Sequence, residues 1–150
     1  MVIRAHVSFF MIPKQDVVYL PYNATMRQAL EKMEYHRYTA VPLIDENGKY
    51  VGTLTEGDLL WKIKNTFDFT FESLNRIPLT EVPLRWQNHP VRIDATIEDL
   101  IERAIEQNFV PVVDDDGVFI GIVRRREIIE YCAKLLSLRK QEEETEKREE

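Results

Sequence analysis

Residues 42–52 read PLIDENGKYVG, and residues 111–121 read PVVDDDGVFIG. The proline, the first aspartate and both glycines of these stretches match at one constant offset. Upstream, Ala24-Thr25-Met26 matches Ala95-Thr96-Ile97 at an offset that is two residues larger. The chain is therefore predicted to contain two copies of one small unit, with one short deletion in the second copy.

Each copy predicts the same order of elements: a strand, a helix, a hairpin and a second helix. The hairpin tips DENG (45–48) and DDDG (114–117) suit tight turns, because Asp and Asn bond their own backbone and Gly adopts positive φ. Thr25-x-x-Gln28 has the form of a capping box, and Thr96 caps the matching helix. The other predicted elements are strands 17–20 and 91–93, hairpin strands 40–44, 50–54, 110–113 and 118–123, and closing helices 58–63 and 127–138.

The repeat predicts an α/β fold in which two β-α-β-β-α units share a core. One unit of about 55 residues is too small to bury a convincing core alone. Two units packed sheet against sheet about a pseudo-twofold axis solve this problem and leave a cleft on each side. The predicted organisation is repeat 1 at 7–63, a linker at 64–78 with a partly packed aromatic patch (Phe67, Phe69, Phe71), repeat 2 at 79–138, and a charged tail at 139–150 that is a frayed helix or disordered.

Composition narrows the possible functions. The 150 residues are 44% hydrophobic and 31% charged with a net charge of −6, which argues against a nucleic-acid partner. The single cysteine, Cys132, allows no intrachain disulfide and fits the cytoplasm. Neither a signal peptide nor an apolar stretch of the roughly 20 residues needed to span a bilayer is expected.

The sequence offers little for catalysis or metal binding. His6, His36 and His89 are scattered without paired ligands, so no metal site is expected. The run Asp114–Asp116 is explained by a hairpin turn and lacks the longer ligand pattern of a calcium loop. No nucleophile arrangement is recognisable, so we do not expect an enzyme.

Thr55-Glu56-Gly57-Asp58 follows a predicted strand and opens a helix, which leaves two interpretations open. Thr55 and Asp58 can form a capping box, which explains both residues without a ligand. Alternatively, the free N–H groups of the helix start hold a phosphate, with Thr55 donating to it and Asp58 accepting from a ribose.

The second copy carries Arg124-Arg125-Arg126-Glu127 at the matching place. Three adjacent guanidinium groups at a helix start repel one another and oppose the helix dipole. One interpretation is a solvated cluster paired with Glu127 or Glu130. Because the chain is acidic overall and the cluster is predicted to face a cleft, we favour a phosphate-binding role, to which the Arg fork is suited.

The repeat resembles a pair of cystathionine-β-synthase (CBS) domains, also called a Bateman module, over roughly residues 7–137. The residues that carry this resemblance are Tyr38-Thr39-Ala40-Val41-Pro42-Leu43-Ile44-Asp45, Gly52-Thr53-Leu54-Thr55 with Asp58-Leu59, Phe109-Val110-Pro111-Val112-Val113-Asp114, and Gly121-Ile122-Val123. Phe10-Met11-Ile12, Asn108-Phe109-Val110 and the arginine run are similar to stand-alone CBS pairs of Gram-positive bacteria that bind cyclic di-AMP.

The resemblance implies a regulatory ligand, an adenine nucleotide, and no resident cofactor. In the family, the Thr-x-x-Asp position contacts phosphate and ribose, which implies Thr55 and Asp58, and adenine lies near the first strand and the segment before the proline. The two clefts are not expected to be equivalent, because Thr and Asp are replaced in the second copy. The candidate ligand-binding residues are Val17, Val18, Tyr38, Thr39, Ala40, Pro42, Thr55, Asp58, Phe109, Val110, Arg124, Arg125 and Arg126.

Two functions remain open at this point. The first is a nucleotide sensor that binds cyclic di-AMP, AMP, ADP or ATP between the copies and signals to a regulated protein whose identity the sequence does not give. The resemblance implies that such a module is a homodimer joined through its helices. The second is a structural adaptor that dimerises and presents its linker and tail without any ligand.

Overall fold

Seven strands and four α-helices build the part of the chain that the structure, a computed structural model, describes: residues 6–149. Short 3-10 helices lie at Val7–Phe9, Lys14–Asp16, Phe71–Asn75 and Leu79–Glu81. The main elements in chain order are β1 (Ile12–Pro13), β2 (Leu20–Pro21), α1 (Met26–His36), β3 (Ala40–Ile44), β4 (Tyr50–Thr55), α2 (Glu56–Asn65), β5 (Val91–Arg92), α3 (Ile97–Glu106), β6 (Phe109–Val113), β7 (Phe119–Arg124) and α4 (Arg125–Glu149).

The strands form two sheets, one for each unit. The first has the order β2-β3-β4 and the second the order β1-β7-β6-β5. In both, a short strand runs parallel to the first strand of an antiparallel hairpin, with Leu20 opposite Leu43 and Val91 opposite Val112. The second sheet gains β1, which lies antiparallel to β7. The start of the chain therefore joins the sheet of the second unit before the chain enters the first.

This crossing corrects the predicted strand at 17–20, of which only Leu20 is part of a strand. The chain leaves β1 in one sheet and reaches β2 in the other through a 3-10 turn, in which the Val17 amide donates to the Lys14 carbonyl at 3.0 Å. Val17 and Val18 lie between the two sheets and have no strand partner of their own. Their side chains are half-buried.

The hairpin turns confirm the prediction made from their residues. In the first, Asp45 Oδ1 accepts from the amides of Asn47 and Lys49 at 2.8 and 2.9 Å, and Gly48 has a φ of +79°. The second turn repeats these bonds from Asp114 Oδ1, with Gly117 at a φ of +82°. Capping boxes open α1, α2 and α3 from Thr25, Thr55 and Thr96.

The two units meet at their hairpins through reciprocal bonds. The Tyr50 amide donates to the Gly117 carbonyl at 3.3 Å, and the Phe119 amide donates to the Gly48 carbonyl at 2.9 Å. Tyr50 and Phe119 occupy equivalent places in the two copies, as do the two glycines. Their rings stack with centroids 6.3 Å apart, and Phe119 is 1% exposed. These contacts follow the predicted pseudo-twofold relation of the two copies.

The linker packs against the first unit more firmly than its aromatic residues suggested. Leu74 of the linker is buried in the core of the first unit, and so are Leu79 and Val82, which extend the linker beyond its predicted end. Phe67 and Phe71 are exposed, and of the three phenylalanines only Phe69 packs against that core. Backbone bonds join the linker to the start of α1: the Met26 amide donates to the Ile77 carbonyl and the Leu79 amide to the Ala24 carbonyl. Aliphatic residues therefore anchor the linker.

The last helix is longer than predicted. It begins at Arg125 and continues through the charged tail to Glu149, where every described side chain beyond Ser137 is exposed. Ile128 and Cys132 pack inward as expected, but Leu136 is exposed. None of the helices described between residues 6 and 149 combines the length and the apolar character needed to cross a bilayer.

Gly121 fixes β1 against β7, so we expect Gly121→Ala to destabilise the fold. A Cβ at this position would lie 2.3 Å from the Ile12 carbonyl oxygen, a backbone atom that moves only if β1 shifts. Overpacking of this kind costs about 2 kcal/mol, or roughly 4–8 °C in thermal midpoint for a chain of this size. Differential scanning calorimetry of the two proteins measures the loss.

Gly52→Ala is the matched control, because Gly52 is the equivalent glycine in the first copy. A Cβ there would lie 2.6 Å from Leu84 Cδ1, the end of a flexible side chain that has room to rotate. The thermal midpoint of the Gly52→Ala variant should fall by clearly less than that of the Gly121→Ala variant. Equal losses in the two variants would contradict the role given to β1.

Candidate functional site

Two clefts lie where the units meet, and each takes one wall from each unit. The arginine cleft has a volume of about 380 Å³. It is lined by Ile12, Asp16, Val17, Val18, Tyr38, Ala40, Pro42, Asn108, Phe109, Ile122, Arg124 and Arg126. The threonine cleft has a volume of about 410 Å³. It is lined by Thr39, Ala40, Thr53, Thr55, Glu56, Gly57, Trp86, Gln87, Asn88, Glu106, Gln107, Asn108 and Phe109.

The arrangement of the walls corrects one expectation about the two clefts. The sequence led us to group Val17, Val18 and Tyr38 with Thr55 in one adenine site and to place the arginines in the other. The structure instead places Val17, Val18 and Tyr38 beside Arg124, because the segment before β2 faces the strand–helix junction of the opposite unit. Apolar walls and cationic groups therefore line the same cleft.

Arg124 and Arg126 line the arginine cleft from the end of β7 and the first turn of α4. Arg124 Nη2 lies 2.7 Å from Glu127 Oε1, and Arg126 Nε lies 3.0 Å from Glu130 Oε1. The side chains of Arg124 and Arg126 are 58% and 83% exposed, so both remain open to solvent despite these pairs. The Arg126–Glu130 pair is exposed on both sides and therefore weak, whereas the partner of Arg124 is only 25% exposed; both guanidinium groups still have N–H donors open to an anion.

Arg125 does not join them, although it was expected in the phosphate site. Its Nε donates to the Ala104 carbonyl at 2.7 Å and to the Gln107 carbonyl at 3.0 Å. These carbonyls belong to the end of α3, where helix carbonyls lack partners and a positive charge is favourable. The arginine run is therefore divided between two structural roles, with two residues at the cleft and one that caps a neighbouring helix.

Apart from Asp16 and Asn108, the other residues that line the arginine cleft are apolar or aromatic. Tyr38 is 47% exposed, and Phe109 is half-buried and borders both clefts. Val110 was expected here but is 0% exposed in the core of the second unit, because neighbouring strand residues face opposite sides of the sheet. Ile12 and Ile122, which sequence reasoning missed, add to the apolar wall as paired residues of β1 and β7.

Asp58, expected to contact a ribose, is not among the residues that line either cleft. It is 2% exposed, and both carboxylate oxygens accept backbone bonds: Oδ2 from the Thr55 amide at 2.9 Å and Oδ1 from the Arg85 amide at 3.0 Å. Thr55 lines the threonine cleft, but its Oγ1 accepts from the Asp58 amide at 3.2 Å. Capping and linker attachment thus account for the Thr-x-x-Asp motif in this structure.

Polar side chains that already have partners occupy the threonine cleft. The Tyr50 hydroxyl lies 2.7 Å from Thr53 Oγ1 and donates to the Asn88 carbonyl at 2.7 Å, and Asn88 Nδ2 donates to Thr53 Oγ1 at 3.3 Å. Burial raises the pKa of Tyr50 to about 12, so the phenol keeps its proton at neutral pH. Gln107 is engaged too, since Nε2 donates to the His89 carbonyl at 3.1 Å.

The repeat allows the two clefts to be compared position by position. When the two copies are aligned by their strand registers, Asn88 is the equivalent of Val17, and Thr53 is the equivalent of Ile122. The polar network of the threonine cleft therefore occupies positions that are apolar in the arginine cleft. The charged side chains that line the threonine cleft are Glu56 and Glu106. The same alignment of copies could have revealed Asn88, Gln107 and Trp86 as threonine-cleft residues from the sequence.

The chain has relatives and structural neighbours of similar size. A curated protein of Bacillus subtilis named cyclic di-AMP receptor B is 28% identical over 132 residues, which cover 88% of this chain and 89% of the relative. Three other curated relatives are longer, and the chain spans 61–62% of their length.

Solved structures share the fold. A structure of CbpB in complex with c-di-AMP superimposes with a TM-score of 0.80 at 23% identity, covering 92% of this chain and 91% of the other. The structure of CBSX2 of Arabidopsis thaliana in complex with AMP gives a TM-score of 0.69 at 26% identity, covering 87% and 97%. These similarities confirm the predicted α/β architecture of two tandem repeats.

The family model for the CBS domain matches twice, at residues 8–65 and 80–134. The two matches together take in more than half of the chain and fall on the two units that the repeat predicted. The chain therefore belongs to the CBS domain family and carries a tandem pair of these domains.

Proposed function

We propose that the chain is a regulatory module that binds an adenine nucleotide in the arginine cleft and passes this signal to a partner protein. The observation that carries the proposal is the composition of one cleft, in which apolar and aromatic walls lie next to two solvent-open guanidinium groups. Neither part alone indicates a nucleotide. Together they match the two halves of the ligand, a flat base and a phosphate.

The apolar part suits a purine. Val17 and Val18 approach from one unit and Ile122 from the other, and Tyr38 and Phe109 offer aromatic rings. Bases stack on aromatic side chains and tolerate aliphatic walls, since every base has an apolar face. A volume of about 380 Å³ falls within the range of small-molecule sites.

The cationic part suits a phosphate. Arg124 and Arg126 each present a planar fork of N–H donors, which binds phosphate oxygens through charge-assisted hydrogen bonds. Two guanidinium groups at one mouth fit a ligand with two phosphates or one phosphate that bridges both. The relative named cyclic di-AMP receptor B and the AMP complex of CBSX2 support the adenine class, and cyclic di-AMP is our first candidate.

The threonine cleft does not offer the same chemistry. Its equivalent of the purine wall is occupied by the bonded network of Tyr50, Thr53 and Asn88, and its charged lining residues are acidic. A phosphate would meet Glu56 and Glu106 there rather than arginine. We therefore place the nucleotide in one cleft of each chain.

A second copy of the chain is our proposed partner for the surface formed by α3 and α4. Ile105, Ile129 and Leu136 are 75%, 59% and 63% exposed and line an apolar groove of about 530 Å³ with Ile101 and Cys132. Contiguous apolar side chains on a surface mark interaction sites. A homodimer would bury this groove and leave both clefts free, so a nucleotide could act through the relative arrangement of two chains.

Arg124→Ala and Arg126→Ala test the site directly. Each should weaken binding of cyclic di-AMP or AMP by about tenfold or more, because a charge-assisted bond to phosphate is lost. Both side chains are largely exposed, so the ligand-free thermal midpoint should barely change. Isothermal titration calorimetry and a thermal-shift scan measure the two quantities.

Arg125→Ala is the matched control from the same run of arginines. It should leave the nucleotide Kd within about twofold, but it should lower stability by about 1–2 kcal/mol, because two carbonyls at the end of α3 lose their donor. Absence of binding to AMP, ADP, ATP and cyclic di-AMP by the unaltered protein would overturn the proposed function and favour an adaptor role. An equal loss of affinity in all three variants would contradict the assignment of the cleft.

Ile105→Glu tests the dimer. A carboxylate at the centre of the α3–α4 groove should convert the dimer to a monomer, because its desolvation opposes burial of the groove. Phe67→Glu is the control, since Phe67 is 91% exposed in the linker and outside the groove. Light scattering after size-exclusion chromatography gives the mass, and a monomeric unaltered protein or a dimeric Ile105→Glu variant would refute this interface.

A further inference from the structure

Glu127 stands where the first copy has Asp58, but it makes different contacts. Asp58 is satisfied by two backbone amides. Glu127 instead contacts a residue of the arginine cleft, because its Oε1 accepts from Nε and Nη2 of Arg124 at 3.0 and 2.7 Å. The reason is local: the residue three positions earlier is Arg124, which has no side-chain oxygen to complete a capping box. The carboxylate is thus joined to a guanidinium group of the proposed phosphate site.

This pairing places a second carboxylate next to the cleft, in addition to Asp16, which lines it. Arg124 directs two of its N–H groups at Glu127, and these are donors that a phosphate would need. A phosphate bound beside Arg124 would also face the negative charge of Glu127 in the first turn of α4. The side chain of Glu127 is 25% exposed, so solvent screens this repulsion only in part.

The other carboxylate oxygen indicates that the pairing is not optimal. Among the described side chains, the buried polar atoms without a hydrogen-bond partner include Glu127 Oε2 and the Tyr131 hydroxyl. Buried polar atoms usually have partners, and leaving one unpaired is unfavourable. These two residues are four positions apart on α4, which is the spacing at which helical side chains meet.

We infer that Glu127 limits the affinity of the arginine cleft by competing with the ligand phosphate for Arg124. In the ligand-free cleft, Glu127 pairs with Arg124. When the ligand binds, its phosphate pairs with Arg124 instead, and Glu127 moves to accept a hydrogen bond from the Tyr131 hydroxyl. Both orphaned atoms gain a partner in the bound arrangement. This inference rests on the proposed function, and it adds that affinity is limited from within the chain and that only a ligand carrying phosphate can displace Glu127.

Glu127→Gln tests the competition, because it removes the charge while keeping an oxygen that can accept from Tyr131. Its Kd for AMP and cyclic di-AMP should fall by about three- to tenfold, through loss of the ion pair and of the repulsion. Its Kd for adenosine, which has no phosphate, should not change. A gain restricted to phosphate-bearing ligands cannot arise from general loosening of the fold.

Glu143→Gln is the matched control. It removes a glutamate that pairs with Arg139 on the same helix, 3.6 Å apart, and lies about 24 Å further along α4. It changes the net charge of the chain equally, so its nucleotide affinity should match that of the unaltered protein. Tyr131→Phe tests the second step and should weaken AMP binding by about twofold or more, because the displaced carboxylate loses its donor.

These outcomes distinguish failure of the competition by Glu127 from failure of the proposed nucleotide-binding function. If the unaltered protein binds none of the nucleotides, the proposed function fails. If the unaltered protein binds them but Glu127→Gln binds no tighter, or tightens towards adenosine as well, the competition is wrong and the site still stands. Unchanged AMP affinity in Tyr131→Phe would overturn the movement of Glu127 to Tyr131.

Discussion

The reciprocal backbone bonds between the two hairpins hold the rest of the arrangement in place. Tyr50 donates to Gly117 and Phe119 to Gly48, and the stacked rings of Tyr50 and Phe119 lie between the units. Both glycines adopt positive φ, which brings each turn carbonyl to the other unit at little steric cost. Each unit is small, and the shared contact supplies burial that neither has alone. The clefts are a consequence, since two units that meet at their hairpins leave a space on either side.

The two clefts differ in chemistry because different side chains occupy equivalent positions of the repeated backbone. At equivalent positions the arginine cleft has Val17 where the threonine cleft has Asn88, and Ile122 where the other has Thr53. One cleft is thus mainly apolar with arginines at its mouth, and the other is lined by a bonded polar network. The repeated backbone thus forms two similar spaces, and a few differing residues give them different linings.

Features that depend on neighbouring residues in the chain were predictable from the sequence. The turn aspartates, the turn glycines and the Thr caps each make their bonds within four residues, so their motifs contain the necessary information. The repeat itself predicted the two units and their α/β character. The family resemblance predicted the CBS domain pair, which the family model confirms.

Features that depend on residues distant in the sequence were not predictable in the same way. The sequence gives no sign that Val17 and Arg124 line the same cleft, because this placement depends on how the chain crosses from β1 to β2. In the sequence Arg125 is not distinguishable from its neighbours, but in the fold its Nε donates to two carbonyls at the end of α3. Asp58 looked like a ligand contact, but the linker covers it through the Arg85 amide. In each case a tertiary partner decided between two locally reasonable roles.

The most direct test of this account is a crystal structure of the protein with the adenine nucleotide that binds it most tightly in calorimetry. The account predicts the base against Val17, Tyr38 and Phe109, and phosphate oxygens at about 2.7–3.0 Å from the guanidinium nitrogens of Arg124 and Arg126. It also predicts that the threonine cleft holds no nucleotide. A nucleotide seated against Thr55 in the threonine cleft, with the arginine cleft empty, would contradict it.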